Sequence, residues 1–290
     1  GEPGKANSSP TQVEIHLNRI FGNLQTYTGT DGSAYGGLIN QTVVPVDGEN
    51  NWFGCNEGPG STGGCDPVTV DVDANPWLVL NLSGWPDPVL PGANFNLAAV
   101  LTDNSDLLDT TAGGTLPDGA LVSFSPAAML DPDADALASG LASTSVTLPL
   151  SAASFDLCAA LDAEVVCTPL SIPEPAVTWA DDDWTTQSAG DLVDVGGGDL
   201  HVFGYDAFLT IQQALDAVTT GGTTHVLAGT YVENLEIEKA VSLLGPNAAV
   251  NPNTGSRVAE AIIHPATSAP DPSVCGVMLY DYVSTVTIRG

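Results

Sequence analysis

The chain has 290 residues, 43% of them hydrophobic and only 14% charged, so it can bury a core and is no charge-dense disordered tail. Thirty-five acidic residues stand against five cations, Lys5, Arg19, Lys239, Arg257 and Arg289, giving a net charge of −30. No basic stripe is available to displace counterions, which excludes nucleic acid as a partner and disfavours anionic lipid and polysaccharide. No apolar run of about 18 residues is present to span a membrane.

Residues 1–66 read as short strands among Asn and Gly. "VEIHLNRIFGN" alternates Val13, Ile15 and Leu17 before turning at Asn18 and Asn23, and a period of two marks a strand. "GGLINQTVV" and "VDGENNWFG" repeat the style at a spacing of about 20 residues or more, the period of a solenoid. Asn18, Asn23, Asn40 and Asn50 would then hydrogen-bond between coils at corners, where backbone groups otherwise go unpaired.

Residues 67–172 change rhythm. Segments such as "ANFNLAAVLTDN", "ALVSFSP" and "LASTSVTLPL" read as strands separated by turn signals at about 8–15 residues, the pattern of an antiparallel β-sandwich. Residues 173–205, with their prolines, Asp181–Asp183 and triple glycine, read as a linker. Residues 206–290 open with "AFLTIQQALDAV", where Phe208, Ile211, Leu215 and Val218 form the apolar stripe of a helix from Ala207 to Val218. Thr210 and Gln213 have capping-box spacing, and Gly221–Gly222 stop the helix. Strands follow to the last residue.

The cysteines fall in two close pairs, Cys55–Cys65 and Cys158–Cys167, with Cys275 left over. Two local disulfides, with Cys275 free or paired elsewhere, point to an oxidising compartment; the alternative is five buried thiols. Asp131, Asp133 and Asp135 have the spacing that begins an EF-hand, but Ala136 and Ala142 stand where Gly and Glu are required. That trio and Asp181, Asp182 and Asp183 offer loop oxygens to Ca²⁺, but read more readily as solvated acidic loops. No other cofactor is expected. His16, His201, His225 and His264 lie in strand-like stretches, without a carboxylate partner nearby in sequence, and read as structural.

"TIQQALDAVTTGGTTHVLAGTYVENLEIEKAVSLLGPN" resembles the first coils of right-handed parallel β-helix proteins of the pectinesterase-like and surface-protein type. The resemblance rests on the helix, on Gly229-Thr230-Tyr231 with Glu233-Asn234 and Ile237, and on Val241 to Gly245. "NNWFGCNEGP" resembles the motif that closes the last coils of bacterial β-helix domains, with Phe53 in place of a second Trp. Between the two, residues 67–172 resemble bacterial immunoglobulin-like domains in strand rhythm. The resemblance implies that Trp52 and Phe53 plug one solenoid, that the helix caps another, and that the mid-solenoid coils carrying pectinesterase-type carboxylates lie outside the chain.

The expected fold is therefore all-β. C-terminal β-helix coils (1–66) precede an Ig-like sandwich (67–172), a linker (173–205), and a capping helix with first coils (206–290). The expected function is that of a secreted, non-enzymatic structural protein: a subunit or tandem segment of a surface fibre or stalk, self-associating head-to-tail through β-helix ends. The alternatives are a carbohydrate-binding or carbohydrate-active β-helix protein, and an adhesin whose glycan or cell-surface ligand the sequence does not identify.

Overall fold

The computed structural model describes all residues except 1–11, 24–26, 29–33, 41, 61–63, 252, 267–276 and 280–284. Cys275 lies outside the described residues. The fold is all-β, with one α-helix among the described residues. The chain divides into two compact units, one of residues 1–88, 94–147 and 155–170, the other of residues 89–93, 148–154 and 171–290.

The first unit begins with β1 (Val13–Glu14), β2 (Tyr27–Thr28), β3 (Ala34–Tyr35), β4 (Val46–Asp47) and β5 (Val72–Asp73). β1, β4 and β5 form a parallel sheet in which Val13 faces Val46 and Val46 faces Val72. Parallel bridges join Arg19 to Trp52 and Leu38 to Val68, so the chain passes three times over the same layer. Val46, Phe53, Val72 and Ala74 are its core, and Val13, Ile15, Ile20 and Trp77 pack against them. The expected boundary at residue 67 is thus too early. The strand expected to open the sandwich is β5, a third pass of the parallel layer. Alternation in "VTVDVDA" specifies a strand whichever sheet receives it; pairing with β4 decides which.

The same unit continues with β6 (Leu78–Ser83), β7 (Asn94–Asn104), β8 (Leu121–Ser125), a 3₁₀ turn (Ala127–Met129), β9 (Leu130–Asp131), β10 (Ala134–Ala136) and β11 (Leu141–Thr147). β12 (Ala153–Leu161) and β13 (Glu164–Ile172) complete two four-stranded sheets, ordered β6-β7-β11-β9 and β10-β8-β12-β13. Pairings β6–β7, β7–β11 and β8–β12 are antiparallel. Each strand buries alternate residues: Val122 and Phe124 on β8, Ala142, Thr144 and Val146 on β11. Asp131 and Asp135 lie on β9 and β10 rather than on loops.

The second unit carries β14 (Val177–Ala180), β15 (Leu192–Asp194), β16 (Leu200–Val202), β17 (Ala207–Phe208) and α1 (Ile211–Ala217). β18 (Thr223–Val226), β19 (Gly229–Val232) and β20 (Leu235–Ile237) follow, then β21 (Val241–Leu244), β22 (Ala261–His264), β23 (Val277–Leu279) and β24 (Val286–Arg289). Strands β17-β14-β18-β21-β24 form one parallel sheet. β19 pairs with β22 and β20 with β23, also parallel. Three successive strands are therefore matched in order by three later ones, and β24 returns to β21.

Two expectations change here. Residues 173–205 are no linker: β14 sits inside the parallel sheet, and β15 and β16 form an antiparallel pair. The helix is shorter than Ala207–Val218, because Ala207 and Phe208 pair with β14 as β17 and Val218 is already extended. Its buried Ile211, Ala214, Leu215 and Val218 pack with Val226, Tyr231, Leu235, Val241 and Leu243, and Phe208 packs against that cluster. Two hydroxyls are satisfied inside it: Thr178 Oγ1 donates to Ala214 O at 3.0 Å and lies 2.9 Å from Thr224 Oγ1.

Candidate functional site

Both expected disulfides are present. Cys55–Cys65 closes the loop after Phe53 with Cα atoms 5.4 Å apart, and Cys158–Cys167 joins β12 to β13 with Cα atoms 4.1 Å apart. The ligand atoms of Cys55, Glu57 and Cys65 lie within 4.8 Å of one another, but sulfurs bonded to each other are not thiolate ligands.

Trp52 and Phe53 are fully buried. Phe53 belongs to the core of the parallel layer. Trp52 instead reaches the β12–β13 turn, donating from Nε1 to Asp162 Oδ2 at 2.7 Å. Arg19 binds the same carboxylate, from Nε to Oδ2 at 2.9 Å and from its second guanidinium nitrogen to Oδ1. This bond to Asp162 raises the Arg19 pKa further. Asp162 holds φ at 60°, a backbone that Asp tolerates better than most residues. Flanking amides complete the joint. Asn51 Oδ1 accepts from Asn18 N at 2.8 Å, and its amide nitrogen donates to Gly48 O at 2.8 Å and to Ile15 O. Asn56 pairs with Leu80 as a strand would, accepting from its N–H at 2.6 Å and donating to its carbonyl at 2.9 Å, while Asn56 N donates to Glu164 Oε2 at 2.7 Å. Gly54, at φ 96°, leaves the Phe21 ring the space a Cβ would fill. The segment "NNWFGCN" is thus a hydrogen-bonded seam between the parallel layer and the sandwich sheets.

The expected asparagine bonds between passes of the chain form at Asn18 to Asn51, at Asn23 to Asp66 and at Asn40, which donates to Asp71 O at 3.1 Å as well as locally to Val44 O at 2.8 Å; Asn50 instead accepts from Asn104 of β7 at 2.8 Å. Corner geometry sends each amide to whichever group is orphaned beside it.

At the other expected site, Thr210 caps α1 by accepting from Gln213 N at 3.2 Å. The next two donors go to Glu233: Ile211 N at 2.9 Å and Gln212 N at 3.0 Å. Lys239 Nζ donates to Asp216 O at 2.7 Å in the last turn. A carboxylate at the N-terminus and an ammonium at the C-terminus both complement the helix dipole. Tyr231, two residues before Glu233, is buried and donates to Ala180 O at 3.1 Å and to Leu227 O at 3.0 Å. Burial and nearby carboxylates push its phenol well above the ordinary range.

Among the described residues neither aspartate trio gathers at metal-ligand spacing. Asp135 accepts from Ala136 N and Ser143 N, each at 2.9 Å. Asp181 accepts from Asp183 N at 3.0 Å in a local turn, whereas Asp182 accepts from Thr230 N of β19, 48 residues away, at 3.0 Å. Burial, then the neighbouring carboxylates, raise the Asp181 pKa.

A further site escapes sequence reasoning. The outward row of the five-stranded sheet aligns Trp179, His225, Leu244 and Arg289 across adjacent strands. The Trp179 and His225 rings stack at 4.3 Å with planes 20° apart. They line a groove of about 420 Å³ with Leu227, Leu244, Pro246 and Arg289. Burial, then the nearby His201, depresses the His225 pKa. His201 has the carboxylate partners that its sequence context was read as lacking: Nδ1 is 2.8 Å from Asp206 Oδ2, and Nε2 is 3.5 Å from Asp199 Oδ2, within ion-pair reach but outside hydrogen-bond geometry. Trp179 Nε1 is buried without a hydrogen-bond partner. Trp179 and His225 are 46 residues apart, and only parallel register brings them together.

Comparison of the chain with protein-family models, with curated proteins and with solved structures gave no match.

Proposed function

We propose that the chain is a structural segment of an extracellular fibre or stalk, built from β-helix coils on either side of an immunoglobulin-like sandwich. The observation that carries the reading is the matched order of parallel strands. β18, β19 and β20 are repeated by β21, β22 and β23, and β24 follows on β21. A stack of that kind grows by adding coils, each paired to the last through a continuous hydrogen-bond ladder. β24 and β1 are edge strands of their sheets among the described residues. The next coil would pair there, from the same chain or from a neighbouring subunit stacked head-to-tail.

Three features support a mechanical role. Two disulfides fit an oxidising, extracellular setting. No helix among the described residues is long and apolar enough to cross a membrane. The Trp52–Asp162–Arg19 seam ties the parallel layer to the sandwich sheets. Electron microscopy of the purified chain tests the head-to-tail step: end-to-end filaments support it, and monodisperse particles at all concentrations overturn it. Ile288→Asp, which places a charge in the row that continues Leu243, should abolish the filaments.

A further inference from the structure

We propose that the groove on the outer face of the second unit's five-stranded sheet binds an aromatic carboxylate, its ring against the Trp179–His225 stack and its carboxylate on the Arg289 guanidinium. The groove is about 420 Å³, within the range of roughly 300–1,000 Å³ typical of small-molecule sites. Its lining is selective in charge. The chain carries 35 acidic residues and five Lys and Arg, seven to one, yet among the described residues the groove is lined by one cation and no carboxylate. In so acidic a protein, this is a place where an anion meets attraction instead of repulsion.

The rest of the lining decides which anion. Leu227, Leu244, Pro246 and two alanines present hydrocarbon, and the polar side chains are those of Trp179, His225 and Arg289. A saccharide brings several hydroxyls into a site and needs as many hydrogen-bonding side chains, because buried polar groups without partners are costly. This groove lacks them and instead offers two stacked rings, a surface that a flat apolar ring covers in offset or edge contact. A guanidinium meets a carboxylate through two parallel hydrogen bonds, which suits Arg289 to a single terminal acid.

The test is isothermal titration of the whole 290-residue chain with 4-hydroxycinnamate, alongside its uncharged alcohol analogue and a trigalacturonate. Saturable binding of 4-hydroxycinnamate with Kd below about 1 mM is expected. Arg289→Met should weaken it roughly ten-fold or more, the loss expected of a charge-assisted pair. Ala248→Trp, which fills the groove, should abolish it, and Arg19→Met, in the first unit and not among the lining residues, should leave it unchanged. Arg289 is exposed, so its substitution leaves the fold intact, checked by an unchanged melting curve. The proposal is overturned if 4-hydroxycinnamate does not bind, if Arg289→Met binds it equally well, or if trigalacturonate or the alcohol binds more tightly.

Discussion

Asp162 allows three energies to be separated by three substitutions at one position. Its side chain is 2% exposed and accepts from Trp52 Nε1 at 2.7 Å, while the Arg19 side chain is 43% exposed. Asp162→Asn keeps an oxygen for Trp52 and tolerates the positive φ of 60°. It loses mainly the half-solvated pair with Arg19, a cost of about 0.2–1 kcal/mol. Asp162→Gly also tolerates that backbone but leaves the indole N–H of a fully buried tryptophan without an acceptor, a further cost of about 1–3 kcal/mol. Asp162→Ala adds the left-handed backbone penalty of about 1–2 kcal/mol. The expected order is Asn, Gly, Ala, spanning roughly 0.2 to 6 kcal/mol. Urea unfolding followed by near-UV circular dichroism and tryptophan fluorescence measures each, with calorimetry assigning the loss to the first unit. Asp162→Ala unfolding within about 0.5 kcal/mol of Asp162→Asn would refute the reasoning. So would the absence of coupling between Trp52→Phe and Asp162→Gly, each of which removes the bond, where a direct bond predicts about 0.5–3 kcal/mol.

Three further outcomes follow from the same geometry. Glu233→Ala should destabilise the second unit by about 1–2 kcal/mol and speed amide exchange at Ile211 and Gln212, whose N–H groups its carboxylate accepts. Non-reducing peptide mapping should recover Cys55–Cys65 and Cys158–Cys167, and replacing Cys158 and Cys167 by Ser, nine residues apart, should cost about 2.5 kcal/mol of unfolding free energy; finding free Cys55 and Cys65 would contradict the first pair. His225 has a depressed pKa in the folded chain, so its contribution is present above the unfolded value near 6.5 and is lost as pH falls below it. The melting temperature should drop between pH 7.5 and pH 5, and His225→Gln should flatten that slope; an unchanged slope would remove His225 as its source.

Local chemistry was legible where a feature and its partner lie within a few residues. Thr210 and Gln213 are one helical turn apart, so the cap of α1 could be read directly, though the helix proved shorter because Ala207 and Phe208 were claimed by β14. The cysteine pairs, ten and nine residues apart, were equally plain. Alternation marks most strands but does not place them: β5 joins the parallel layer instead of the sandwich, and β14, "AVTWA" between prolines and acids, has the composition of a linker yet pairs inside the parallel sheet. A strand's period of two says which residues share a face and says nothing of which neighbour it pairs with.

What the sequence determined by itself was the local material of the fold: strands of alternating burial, an amphipathic helix, two close cysteine pairs and a surface with almost no cations. The tertiary structure alone decided where distant groups meet. Asp162 reaches Trp52 across 110 residues, Glu233 reaches back 22 residues to the α1 N-terminus, and Trp179 stacks on His225 across a parallel pairing. Each meeting depends on strand register, and register is set by the summed burial of whole faces, so no short stretch of sequence carries it.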